Sequence, residues 1–106
     1  MDRKKFEERL ATFLRLAQEM VNAYFAEHLP DSKLFILSTQ PGARYVRIVR
    51  SDGSAWAFVD SENGNILKCD GWKRPAKGAR GNIFDTDPLA GVNSYGANYA
   101  KRGKTP

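Results

Sequence analysis

The first third of the chain is apolar at every third or fourth position. Phe6, Leu10, Phe13, Leu14, Ala17, Met20, Val21, Tyr24 and Phe25 fall on one stripe, with Arg3, Lys4, Glu7, Glu8, Arg15, Gln18, Glu19 and Glu27 between them. This spacing predicts one amphipathic helix over 3–28, with a stripe broad enough to cover a core. Leu29-Pro30-Asp31 ends it, because proline has no amide donor and disfavours helical geometry in the residue before it. From Lys33 the apolar positions alternate, predicting strands over 33–39, 43–51, 54–60 and 65–69. Gln40-Pro41-Gly42, Asp52-Gly53 and Ser61-Glu62-Asn63-Gly64 supply the turns between them. Short consecutive connections imply a four-stranded antiparallel meander with the helix across one face, an α+β fold.

A two-residue Asp52-Gly53 turn would set a usable register. Pairing Ser51 with Ser54 places Val49 opposite Trp56, Ile48 opposite Ala57, Arg47 opposite Phe58 and Val46 opposite Val59. One face then carries the small side chains of Val46, Ile48, Ala55, Ala57 and Val59, which suit a bulky helix stripe. The other carries Tyr45, Arg47, Val49, Trp56 and Phe58. A bare aromatic face of that size is unusual in a monomer. Its cover is either the C-terminal third, through Trp72, Ile83, Phe84, Leu89, Val92, Tyr95 and Tyr99, or a ligand.

After Cys69 the periodicity is lost. A helix-plus-meander core over 1–70 is followed by a Gly-rich irregular extension over 71–106, within one domain of 106 residues. This extension changes the charge picture. Residues 1–67 hold nine Lys/Arg and nine Asp/Glu, so the whole net charge of +5 lies beyond them. It divides between Lys68, Lys73, Arg74, Lys77 and Arg80 and a terminal cluster of Lys101, Arg102 and Lys104, against Asp70, Asp85 and Asp87. Clustered cations suit a polyanionic partner, since they release counterions from phosphates. A solvated tail that aids solubility is the alternative.

Candidate chemistry is sparse. His28, the only histidine, falls at the helix end, where an imidazolium suits the dipole. Cys69 is the only cysteine, so an internal disulfide is impossible, and a strand thiol of this kind is usually buried. Lys68 beside it could lower the thiol pKa. Asp85 and Asp87 could hold Mg²⁺ beside a phosphate, but a turn cap or a counter-charge to residues 73–80 fits them better. With no Walker loop, dinucleotide fingerprint, zinc spacing or serine elbow, no catalytic residue, cofactor or metal is assigned. No run approaches the ~20 apolar residues of a membrane span. The unpaired cysteine suits a cytoplasmic setting.

Nucleic-acid binding fits the remaining features. Lys73, Arg74, Lys77 and Arg80 are spaced to meet successive phosphates, and Gly71, Gly78 and Gly81 would let the backbone approach a partner. Tyr45, Trp56 and Phe58, with Arg47 among them, are similar in kind to the stacking platforms of single-strand binders.

The run Gly71-Trp72-Lys73-Arg74-Pro75-Ala76-Lys77-Gly78-Ala79-Arg80-Gly81-Asn82-Ile83 resembles the tail motif of a family of small uncharacterised bacteriophage-encoded proteins. Ala57-Phe58-Val59-Asp60, Asn63-Gly64-Asn65-Ile66, Leu89-Ala90-Gly91 and Tyr95-Gly96-Ala97 are similar as well, so the likeness covers about 44–100. The resemblance implies phage origin, action in the host cytoplasm or the virion, and no catalytic residues. A phage-type accessory protein that binds nucleic acid, single-stranded, is the expectation. The alternative is a protein–protein module without catalysis, as a host-protein inhibitor, a homo-oligomer or a virion component, with the basic loop and Tyr95/Tyr99 as its interface.

Overall fold

The computed structural model describes residues 2–98. Tyr99 and the Lys101/Arg102/Lys104 cluster therefore lie outside the described residues. Helix α1 spans Arg3–His28, as its periodicity predicts. The Asp2 side chain caps it by accepting from the Lys4 amide at 2.9 Å, and the Leu29 amide closes the last turn on the Phe25 carbonyl at 2.9 Å. Phe6, Leu10, Phe13, Ala17, Val21 and Phe25 form its buried face.

The strands β1 (Leu37–Pro41), β2 (Tyr45–Arg50), β3 (Ala55–Asp60) and β4 (Asn65–Leu67) make the expected antiparallel meander. A fifth strand, β5 (Gly81–Asn82), extends it to the order β1-β2-β3-β4-β5. A separate hairpin joins β6 (Val92–Asn93) to β7 (Gly96–Ala97). The fold is α+β, with five strands in the main sheet where four were expected. The added strand arises because the basic segment doubles back along the sheet, with the Ala76 amide donating to the Lys68 carbonyl and the Arg80 amide to the Ile66 carbonyl. A two-residue Gly-Asn strand has no alternation to betray it.

Strand β1 begins four residues later than predicted and takes in Gln40 and Pro41, so the reversal falls on residues 42–44. Proline is tolerated because β1 lies at the sheet edge. Gln18 blunts the same edge from the helix. Its amide oxygen accepts from the Leu37 amide at 2.7 Å and its amide nitrogen donates to the Phe35 carbonyl at 3.1 Å, as a neighbouring strand would.

The β2–β3 register departs from expectation near the turn. Gly53 donates to the Arg50 carbonyl and Arg50 to the Ser54 carbonyl, so Ser51, Asp52 and Gly53 make a three-residue loop. Gly53 takes the positive φ, +94°, that such a loop requires in its last residue. Val49 consequently faces Ala55, and a bulge at Trp56 restores the predicted pairing from Ile48–Ala57 onward. The expected Val49–Trp56 pair is absent, and Trp56 does not belong to the aromatic face. It is 2% exposed in the main core, with its ring 6.4 Å from Phe13 and its indole N–H donated to the Ser94 carbonyl at 3.1 Å.

The C-terminal extension divides its cover between the two sides of the sheet. Ile83, Val92 and Ala97 join the helix-side core, with Leu89 packed against it. Arg9 ties the helix to this segment by donating to the Ile83 and Asp85 carbonyls. The segment around Trp72 reaches the other face, where Val49, Phe58 and Leu67 are buried apart from the main core.

Candidate functional site

The β1–β2 reversal and the segment over 68–76 form two walls above the outer face of the sheet. Residues 68–76 fold as a small antiparallel loop, with Cys69 bridged to Pro75 and the Asp70 amide on the Arg74 carbonyl at 2.8 Å. This loop carries Trp72 and Lys73 toward Arg47 on β2. The Arg47 guanidinium lies 4.5 Å from the Trp72 ring centroid and 5.8 Å from that of Phe58, between two aromatic surfaces. Its Nε donates to the Trp72 carbonyl at 3.0 Å and its Nη1 to Gln40 Oε1 at 2.7 Å. Both acceptors are neutral. Among the described residues Arg47 forms no ion pair.

Tyr45 completes the aromatic floor, edge-on to Phe58 with centroids 6.4 Å apart. Arg44 lies 5.3 Å over the Tyr45 ring. Its guanidinium grips the Asp60 carboxylate, with the shortest contact at 2.9 Å, and approaches Glu62 at 3.6 Å. Asp60 is 4% exposed and also accepts from the Glu62 amide at 2.9 Å. Burial pushes the Asp60 carboxyl up, but the hydrogen bonds from Arg44 and the Glu62 amide outweigh it and hold the group below the usual carboxylate range. Arg44 is thus a matched charge, unlike Arg47. Between the walls lies a cleft of about 430 Å³ lined by Gln40, Arg44, Tyr45, Arg47, Phe58 and Lys73, together with residues 41–43.

Four of the eight sequence-predicted residues meet here: Tyr45, Arg47, Phe58 and Lys73. Phe58 contributes as a floor beneath Arg47, since it is buried. Lys77 and Arg74 are exposed farther along the loop, and Arg74 is paired with Asp70 at 3.6 Å. Arg80 is turned inward, donating from Nε to the Asn98 carbonyl at 2.9 Å and from Nη1 to the Lys77 and Gly78 carbonyls. Trp56 is in the core. Sequence reasoning missed Arg44 and Gln40, and took Trp72 only as an apolar anchor. Trp72 is 41% exposed, and its place between Gly71 and the Lys73-Arg74 pair was the available signal.

The other candidates have structural surroundings. His28 lies 4.7 Å from the Tyr24 ring at the helix end, beside Glu27. Burial pushes the Cys69 thiol up despite the nearby charges of Lys68 and Arg47. Asp87 accepts from the Leu89 amide at 3.2 Å, which makes it a turn cap, while Asp85 offers its backbone carbonyl to Arg9. Among the described residues no helix is long and apolar enough to cross a membrane.

No curated protein and no solved structure matches the chain. A family model does match, over residues 4–96, and so takes in the five-stranded sheet, the cleft and all but one end residue each of the helix and the β6–β7 hairpin. The chain belongs to that family, DUF7717, a family of unknown function.

Proposed function

We propose that this protein binds single-stranded nucleic acid at the cleft between the β1–β2 reversal and the Trp72–Lys73 loop tip. One observation carries the proposal: Arg47 and Lys73, two cations without acidic partners among the described residues, share a cleft with Tyr45, next to a half-exposed Trp72. Base-sized rings can stack on Trp72 and Tyr45, while the cations meet phosphate. Stacking of this kind is worth about 1–3 kcal/mol per base and tolerates any sequence. Lys77 extends the positive surface along the loop. The role is that of a binder without catalysis, and it keeps the phage setting that the 71–83 resemblance implies, as an accessory protein in the host cytoplasm.

Titration of labelled single-stranded DNA and RNA across a salt series tests this directly. With Arg47, Lys73 and Lys77 engaged, log K should fall with log salt at a slope of about −2. Replacing Lys73 and Lys77 by Ala should bring the slope to roughly −0.7 and weaken binding at least about tenfold, with an unchanged circular dichroism spectrum. Equal binding by that double variant would sink the proposal.

A second reading, as a protein–protein module, draws on Tyr95, which is 55% exposed and packs edge-on to Tyr24 at 5.6 Å. Exposed tyrosine pairs are common interface anchors. Light scattering separates the homo-oligomer form of this reading: a mass that rises with concentration and falls in Tyr95→Ala supports it, and a constant monomer mass counts against it.

A further inference from the structure

We infer that the cleft takes one nucleotide unit bearing a terminal phosphate, at a strand end or free, and does not track the interior of a strand. The inference rests on the nucleic-acid reading above and narrows its ligand. Three observations lead to it.

The first is size. At about 430 Å³, the cleft sits near the low end of the ~300–1,000 Å³ typical of small-molecule sites. That volume matches one nucleotide unit.

The second is charge. Arg44 is matched by Asp60 and Glu62, which leaves Arg47 and Lys73 as the lining cations without an acidic partner among the described residues. A terminal phosphomonoester carries about −1.5 to −2 near neutral pH, against a single charge on an internal phosphodiester. Two unmatched cations fit the monoester.

The third is the loop beyond the cleft. A tracked strand needs successive cations facing its phosphates, and residues 73–80 do not supply them. Arg74 is paired with Asp70, and Arg80 directs Nε and Nη1 into backbone carbonyls of Asn98, Lys77 and Gly78. Lys77 alone remains as an exposed loop cation past the cleft without an ion pair among the described residues, and one cation does not make a track.

The experiment compares short and long single-stranded oligonucleotides, each with a 5′-phosphate, a 3′-phosphate or hydroxyl ends, by fluorescence anisotropy on the full chain. The expected result is that one phosphorylated form binds about tenfold tighter than the hydroxyl form, with affinity independent of length. Lys73→Gln should erase that preference. Lys77→Gln should weaken both forms together and leave their ratio intact. Displacement by a free nucleoside monophosphate would identify the ligand as any such nucleotide; resistance to displacement would identify it as a strand end, and both outcomes support the inference. Affinity that climbs with length and ignores the end groups would overturn the inference while leaving strand binding in place. Failure of every oligonucleotide and nucleotide to bind would remove both.

Discussion

The contact between the β6–β7 hairpin and the Trp56 bulge can be broken with a single methyl group. Gly96 has a φ of +132°, and a Cβ at that position would stand 2.3 Å from the Trp56 carbonyl oxygen and 3.4 Å from its carbon. Backbone sets that distance, so no rotamer relieves it. In Gly96→Ala the hairpin must move off β3, which pulls the Ser94 carbonyl away from the buried Trp56 indole N–H. Leaving that donor without a partner costs about 1–3 kcal/mol, and the disfavoured backbone adds about 1–2 kcal/mol. The expected loss is about 2–5 kcal/mol, a large part of the ~5–15 kcal/mol that holds a typical domain.

Gly53→Ala provides the matched control. Gly53 also has positive φ, +94°, but a Cβ there meets nothing within 4 Å. It should bear the conformational cost alone, about 1–2 kcal/mol. Urea unfolding followed by tryptophan fluorescence reads both variants, because burial of Trp56 makes its emission sensitive to the transition. Equal destabilisation by the two alanines would refute the packing of the hairpin on the bulge.

Further consequences follow from the polar contacts. Asp60 is held below its ordinary range when folded, so the stability it contributes is present above the unfolded carboxylate value near ~4 and is lost as pH falls through the lower folded value. Asp60→Asn should remove part of the acid-induced decline below about pH 4 in thermal melts; an unaltered acid limb would refute the pairing. Asp52, lowered by the Ser54 amide and Arg50, works in the same direction and window and should persist in that variant. Gln18→Ala removes the side-chain amide from the β1 edge, leaving the Leu37 N–H and Phe35 carbonyl without that partner. It should cost about 1–2 kcal/mol in urea unfolding and increase concentration-dependent association in light scattering, and no change in either would count against edge protection by Gln18.

Local patterns accounted for much of the architecture. The apolar stripe of α1 repeats within the helix itself, so its limits at Arg3 and His28 needed no distant contact to be read. Alternation likewise located β2 and β3, and the pairing of Val46, Arg47 and Ile48 with Val59, Phe58 and Ala57 came out as expected. The first turn was misplaced because Pro-Gly is a strong local turn signal, whereas an edge strand tolerates proline through its neighbours. Recognition of the Asp52-Gly53 hairpin succeeded, but its loop length did not show in the dipeptide.

The basic, aromatic C-terminal third was legible as a charge pattern long before its parts had places. Composition assigns a cation to the chain, and only the fold assigns it to a surface. Arg80 and Arg47 look alike in the sequence, yet one is folded onto carbonyls while the other lies between Trp72 and Phe58. Trp56 and Trp72 likewise exchange their expected roles, because a one-residue bulge turns Trp56 into the core and a loop bridged at Cys69–Pro75 brings Trp72 to the outer face. Periodicity reports which side of its own element a residue occupies. Which element then covers that side depends on contacts between residues far apart in the chain, and those exist only in the folded molecule.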